Sequence, residues 1–122
     1  MITLLNLIKK RINQVPVNPT VLKIEKFLYE NYNKPITLED IEKFTFFSKT
    51  HCHVIFKNEK GVSIIDFLNN YSINKAKELL IEGAMPLNDI SEMIGFSSYN
   101  YFSRLFKKKT GYSPKEYRRI IK

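Results

Sequence analysis

The chain has 122 residues with a net charge of +8, and 43% of its residues are hydrophobic, so it can bury a real core as one compact unit or two small lobes. A strongly basic chain favours a polyanionic partner, and its one cysteine, Cys52, excludes an internal disulfide and fits a reducing cytosol. No apolar run approaches the ~18 residues that span a bilayer.

Residues 1–18 are predicted to form a short amphipathic helix, at 2–13, followed by a linker that contains Pro16. The apolar residues precede the basic ones, the reverse of a signal peptide, so we expect a cytoplasmic protein. The helix has three candidate uses: the tail of an absent effector domain, a dimer contact, or packing on the first lobe. Weak membrane association is the least expected use, because the helix is short.

Beyond residue 18 every predicted element is a helix, since apolar residues recur at intervals of three and four without strand alternation. Polar residues mark the helix starts and glycines mark several ends; the capping residues are Asn18, Thr37, Ser48, Ser63, Ser98 and Ser113. The expected helices cover residues 19–33, 38–44, 49–58, 63–81, 87–94, 98–109 and a last one from 114. The predicted fold class is all-α, with about seven helices and a possible N-terminal one.

One sequence pattern occurs twice, about fifty residues apart. The first copy begins at Leu38 and the second at Leu87, an offset of 49, whereas from Ser48 and Ser98 onward the offset is 50. The second copy therefore has one extra residue in its turn. Each copy predicts a short helix, a tight turn, a capping serine and a longer helix that ends at glycine, which is a helix-turn-helix. Two such units on one basic chain favour a DNA reader.

The repeat predicts how the chain is divided and where its charge lies. We expect an N-terminal helix and linker at 1–18, a first lobe at 19–62, a linker helix at 63–82 and a second lobe at 83–122. Residues 101–122 hold eight Lys or Arg against one acid, whereas residues 36–100 hold six basic and nine acidic side chains. The anion-binding face is therefore expected on the second lobe, with support from the N-terminal region.

We call the longer helix of each copy its reader helix. A helix in the major groove needs an apolar face toward its own domain and a polar or small face toward the base edges. The inward faces are predicted to hold Cys52, Ile55 and Phe56 with His51 alongside, and Phe102, Leu105 and Phe106 with Tyr101 alongside. The outward faces are predicted to read bases, through Thr50, His53, Val54, Asn100, Ser103 and Arg104.

The outward side chains suit this chemistry. Arg104 can make a bidentate contact to guanine, Asn100 can pair with adenine, and Val54 can touch a thymine methyl. Phosphate is favoured at lysines and at helix starts, and the expected DNA-backbone residues are Ser48, Lys49, Lys57, Ser98, Lys107 and Lys108. Phosphate contact is also favoured for Lys109, Arg118 and Arg119, although an isolated charge run is usually a solvated surface.

At these residues the chain resembles the DNA-binding domain of the AraC/XylS family of transcription regulators. The second copy carries the family's motifs, at 90–96, 101–108, 111–114 and 117–118, and the match covers about residues 20–121. The resemblance implies a seven-helix fold whose long fourth helix, at about 63–81, holds the readers apart in successive major grooves, about 34 Å from each other. It also implies an activator more than a repressor, which contacts RNA polymerase at promoters. The chain would bind double-stranded DNA as a monomer or as part of a larger dimeric regulator.

The first copy departs from the family's pattern. Glu42 stands where the family usually has alanine, Cys52 where it has leucine, and Val54 where it often has arginine. Phe46 and Phe47 fill the turn without a glycine. These departures bear on how strongly the first reader helix reads bases, and they leave the expected fold unchanged.

Other functions are less favoured by these residues. His51, Cys52 and His53 could suggest a metal site, but neighbours on a helix point in different directions and no further ligand lies at a suitable spacing. There is no glycine-rich phosphate loop and no nucleophile with a partnered base, so we expect neither a cofactor nor catalysis. Two alternatives stay open: an architectural DNA binder with little sequence preference, and a protein-interaction module that has lost DNA reading. Arg104 could also serve a structural ion pair.

Overall fold

The computed structural model describes residues 17–121. Over this range the chain forms seven α-helices and no strand, which confirms the all-α expectation. We number the helices α1 to α7 in chain order: Pro19–Asn31, Leu38–Thr45, Lys49–Lys60, Ile64–Glu82, Leu87–Met93, Tyr99–Thr110 and Pro114–Ile120. The helix expected at residues 2–13 lies outside the described residues.

Side-chain caps set the starts of most helices. Thr37 and Asp40 exchange hydrogen bonds at the start of α2, and Ser113 and Glu116 do the same at α7, so both starts are capping boxes. A serine hydroxyl accepts from a backbone N–H three residues on at α3, α4 and α6, through Ser48, Ser63 and Ser98. Among these helices α5 alone has no side-chain cap, and the residue before it is Pro86. Each cap satisfies an N–H that the first helical turn leaves unpaired.

Two hydrophobic cores lie on either side of the long helix α4. The first is built from buried residues of α1 to α4: Val21, Ile24, Leu28, Ile41, Cys52, Phe56 and Ile64. The second is built from the rest of α4 and the helices that follow: Ile73, Ala76, Leu80, Ile90, Ile94, Phe102 and Phe106. Because α4 supplies residues to both cores, it fixes one helix-turn-helix, α2–α3, relative to the other, α5–α6.

The chain that follows α1 also touches the second copy directly. Tyr32, which follows α1, packs against the second core, and its ring meets the ring of Tyr71 on α4 edge-on, with centroids 5.1 Å apart. Gly95, in the turn before α6, lies so close that a Cβ there would come within 2.7 Å of the Tyr32 carbonyl oxygen. This close approach of two backbones ties the end of α1 to the turn of the second copy, in addition to the link through α4.

The turn between α2 and α3 has an aromatic residue where its counterpart has glycine. Phe46 adopts a φ of 64°, in the left-handed region, and its side chain is 92% exposed. Gly95, its equivalent at the offset of 49, has a φ of 90°. Both copies therefore make a left-handed turn, with a backbone strain at Phe46 that glycine does not carry.

His51 and Tyr101 lie beside the buried faces, as expected, and both side chains are exposed. Each lies one position before a buried residue, and successive residues point about 100° apart around a helix, which places them at the edge of the apolar stripe. The His51 ring lies 4.8 Å from the Phe47 ring, and the Tyr101 ring 5.8 Å from the Phe96 ring. Each therefore packs against the turn that precedes its own helix.

Candidate nucleic-acid interface

The reader helices α3 and α6 are built alike, with 12 residues each. The Ser48 hydroxyl accepts from the His51 N–H at 3.1 Å, and the Ser98 hydroxyl accepts from the Tyr101 N–H at 3.3 Å. At the other end the N–H of Gly61, and likewise of Gly111, donates over 2.8 Å to a lysine carbonyl four residues earlier. The two helices thus start and stop through the same local bonds.

The inward faces anchor both helices in their cores, as the sequence predicts. Cys52 and Phe56 on α3 are buried, and so are Phe102 and Phe106 on α6. The Phe106 ring also packs edge-on against Tyr117 of α7, with centroids 5.3 Å apart. Burial of these four side chains fixes the rotation of each helix about its own axis. That rotation decides which side chains face outward.

The outward faces carry the six residues predicted to read bases. Thr50, His53, Asn100 and Arg104 are exposed, Val54 is 48% exposed, and Ser103 is half-buried. Arg104 makes no ion pair with any residue between 17 and 121, and it lies beside Tyr101, Leu105 and Lys108. Its guanidinium is therefore available for an external acceptor.

A helix-turn-helix domain family model matches residues 43–120. The C-terminal domain of AraT, a response regulator from Geobacillus stearothermophilus, is 33% identical with a TM-score of 0.82, over 84% of this chain and 86% of that one. A probable AraC family transcriptional regulator from Rhodopseudomonas palustris CGA009 is 25% identical with a TM-score of 0.74, over 86% of this chain and 99% of that one. The chain belongs to the AraC/XylS family of DNA-binding transcription regulators.

The AraC/XylS domain is also similar to longer curated proteins. The bifunctional transcriptional activator/DNA repair enzyme AdaA of Bacillus subtilis (strain 168) is 30% identical over 109 residues, which are 89% of this chain and 52% of AdaA. The chain thus spans about half the length of that relative. Most of the other relatives carry the names of transcriptional regulators or activators.

The predicted DNA-backbone residues of this AraC/XylS domain differ between the two reader helices. On α6 and at its start, Ser98, Lys107 and Lys108 are exposed, and so are Ser48 and Lys57 of α3. Lys49, the first residue of α3, is half-buried and its ammonium pairs with the Glu39 carboxylate. That pairing lowers the pKa of Glu39 and raises the pKa of Lys49, in each case first through the hydrogen bond between them.

Two cations that the sequence favoured for phosphate contact have structural partners instead. The Arg118 guanidinium donates from Nη2 to the Met85 carbonyl oxygen at 2.6 Å, which ties α7 to the loop before α5. The Lys109 ammonium lies 3.7 Å from a carboxylate oxygen of Asp66, so it links the end of α6 to the start of α4. Arg119, by contrast, is exposed.

The sequence reasoning missed the role of Glu42. Its carboxylate oxygen Oε2 accepts from the Lys49 N–H at 3.1 Å, so an acidic side chain of α2 caps the start of α3. The signal was present in the sequence, because Glu42 stands at a position where the family usually has alanine. The contact itself depends on how α2 and α3 cross, which no spacing rule gives.

The His51, Cys52 and His53 run does not converge on one point. Cys52 is buried, with its Sγ 3.3 Å from the Thr45 hydroxyl, whereas both histidines are exposed. Across residues 17–121 no three or more His, Cys, Asp or Glu side chains are grouped so that they could hold a metal ion. In the same range no helix combines the length and the apolar character needed to cross a membrane.

Proposed function

We propose that the chain binds double-stranded DNA in a sequence-specific way by placing α3 and α6 in successive major grooves, about 34 Å apart on one side of the duplex. The observation that carries this proposal is the matched construction of the two helices. Each has the same cap, the same stop and the same buried face, and each turns small or polar side chains outward. The units would correspond to a first lobe at 19–62, a linker helix at 63–82 and a second lobe at 83–122.

Base reading is assigned to the six outward residues. Arg104 would donate two hydrogen bonds to O6 and N7 of guanine, and Asn100 would pair with N6 and N7 of adenine. Ser103 and Thr50 offer hydroxyls that both donate and accept, and His53 can do either through its ring nitrogens. The remaining position, Val54, offers only apolar contact, for example to a thymine methyl.

Contact with the DNA backbone is assigned to the lysines and the helix starts. Lys57 and Lys107 lie one turn beyond the base-reading residues on their helices, and Lys108 adds charge beside Arg104. Ser48 and Lys49 at α3, and Ser98 at α6, stand where a helix start favours phosphate. Residues 83–122 hold eight basic and three acidic side chains, so most of the salt-dependent affinity should come from the second copy.

The test begins with selection of binding sites from a pool of random duplexes, followed by affinity measurements on the selected site. Arg104→Ala is expected to cost about 1–3 kcal/mol and to relax one base position. Lys107→Ala is expected to weaken binding to every duplex alike and to lower the salt slope by about one. Lys23→Ala, which removes an exposed charge from α1, is the control for the loss of one positive charge.

Two other outcomes would assign a different function. Equal affinity for random and selected duplexes, with a steep salt slope, would make the chain an architectural DNA binder. Failure of the wild-type protein to bind any duplex at low salt would favour a protein-interaction module.

We infer the biological role from the family and from the names of the relatives. We propose a non-enzymatic activator that works at promoters with RNA polymerase, in the cytoplasm at the bacterial nucleoid. Names such as the lactose operon transcription activator of Staphylococcus xylosus support activation. The chain would bind as a monomer with two unlike half-sites, or as the DNA-binding part of a larger dimeric regulator. Transcription from a promoter carrying the selected site, measured with purified RNA polymerase with and without the protein, tests this role.

A further inference from the structure

Two carboxylates of α2 lie at the start of the first reader helix. Glu42 accepts a hydrogen bond from the backbone N–H of Lys49 at 3.1 Å, and Glu39 pairs with the ammonium group of the same lysine. We call Glu39 and Glu42 the carboxylate pair. Both hydrogen-bonding groups with which Lys49 could meet a phosphate are therefore already bound to acidic side chains of the protein.

The second reader helix has no such pair. At the offset of 49, the equivalents of Glu39 and Glu42 are Asn88 and Ser91, which are neutral, and Ser91 is buried. The residue that starts α6 is Tyr99, so the ammonium group is missing as well. The two copies share their fold and the serine caps of their reader helices, but they differ in charge where a helix start would meet the DNA backbone.

The difference in charge between the starts of α3 and α6 should affect how each helix binds DNA. The partial positive charge and the free N–H groups at a helix N-terminus attract anions, phosphate among them. A carboxylate that already accepts from that N–H takes the place of a phosphate oxygen and repels the phosphate next to it. The Lys49–Glu39 pair is partly exposed, with 42% and 57% of the two side chains accessible, so phosphate can exchange with it at little cost. Glu42 is half-buried and is the harder of the two to displace.

We propose that the carboxylate pair competes with the DNA backbone at α3, so that the two readers engage the duplex unequally. The second reader binds first and at many sequences, because its start carries no acid and its helix carries Lys107 and Lys108. The first reader joins only where its base contacts outweigh the repulsion by Glu42. Glu42 therefore lowers binding to a complete site, where the first reader docks, more than binding to random DNA, where the first reader rarely docks. This inference rests on the proposed function.

The test variant is Glu42→Gln, which keeps an oxygen that can accept from the Lys49 N–H and removes only the charge. The control is Glu30→Gln on α1, whose side chain is 61% exposed and which makes only a 3.9 Å ion pair with Lys26. The control changes the net charge of the protein by the same amount. Affinity is measured by fluorescence anisotropy over a series of salt concentrations. The duplexes carry both half-sites, the α6 half-site alone, or a random sequence.

Glu42→Gln is expected to bind the complete duplex about two- to fivefold more tightly than wild type. Its salt slope on that duplex should steepen by up to about one, as one more phosphate is neutralised. The affinity for the random duplex should rise less, so the ratio of affinities for the complete and random duplexes should rise, whereas Glu30→Gln should leave that ratio unchanged. Glu39→Gln, which frees the Lys49 ammonium, should act in the same direction, and it carries the test if Glu42→Gln proves unfolded by circular dichroism.

The outcomes separate this inference from the proposed function. If wild type binds the selected duplex but Glu42→Gln and Glu39→Gln behave like Glu30→Gln, the carboxylate pair does not compete with DNA and only this inference fails. Weaker binding by both variants would overturn it in the same way. If wild type binds none of the duplexes at low salt, the inference and the proposed function fail together.

Discussion

Gly95→Ala tests whether the direct contact between the end of α1 and the turn before α6 helps to hold the two helix-turn-helix units in place. A Cβ at this position would lie 2.7 Å from the Tyr32 carbonyl oxygen and 2.8 Å from the Asn33 carbonyl carbon, both backbone atoms. The residue also has a φ of +90°, which an L-residue adopts at a cost of about 1–2 kcal/mol. Overpacking against backbone adds about 1–3 kcal/mol. The free energy of unfolding should therefore fall by about 2–5 kcal/mol in total.

Gly111→Ala is the matched control for the backbone term. Gly111 has a φ of +87°, but nothing lies within 4 Å of a Cβ built there, so only the strain of about 1–2 kcal/mol applies. Urea unfolding of both variants, followed by circular dichroism, gives the difference between them, which isolates the clash with Tyr32 and Asn33. Equal losses of unfolding free energy in the two variants would show that the contact at Gly95 does not hold the end of α1 against the turn before α6, which would refute this prediction.

Two further predictions concern stability in the first copy. Phe46→Gly should raise the free energy of unfolding by about 0.5–1 kcal/mol, because the relief of left-handed strain exceeds the entropy cost of glycine. The Phe46 side chain buries almost nothing, so little packing is lost. A lower free energy of unfolding in urea would contradict this prediction. Burial raises the pKa of Glu25, but hydrogen bonds from Lys60 and Tyr29 and the charge of Lys60 lower it. Together they outweigh burial and hold the pKa below its ordinary value of 4.5. The stability that Glu25 contributes is present above its pKa in the unfolded chain and is lost as the pH falls through its lower pKa in the folded protein. Glu25→Gln should therefore flatten the pH dependence of the free energy of unfolding below about pH 4.5. An unchanged pH dependence would show that the bonds of Glu25 to Lys60 and Tyr29 do not stabilise the fold.

The helices could be predicted from the sequence because their signals are local. Caps such as Thr37 and Ser113 act on N–H groups three residues away, and the apolar spacing needs no knowledge of the rest of the fold. The predicted ends fell short at α3 and α4, which continue to Lys60 and Glu82 because Gly61 and Gly83 form left-handed caps directly after them. The resemblance to the AraC/XylS family supplied the arrangement of helices that periodicity alone does not give.

Contacts between distant residues could not be predicted in this way. Tyr32 and Gly95 lie far apart in the sequence, and their contact depends on how the turn before α6 meets the end of α1. The bond from Lys49 to Glu42 likewise depends on the crossing of α2 and α3. The edge positions of His51 and Tyr101 show a related limit, since one step around a helix separates a buried side chain from an exposed one.

A fixed spacing and unequal readers have a joint consequence for recognition. Because α4 and the Gly95 contact hold both copies in one arrangement, docking of α3 after α6 has bound is an intramolecular step at high effective concentration. A first reader that binds weakly by itself can then still add to the affinity for a complete site. On random DNA it adds little, since Glu42 opposes the phosphate and no base contacts offset that repulsion. The same charge that weakens the first reader therefore narrows the difference in affinity between complete and random sites, and Gly95→Ala should narrow it further by loosening the spacing.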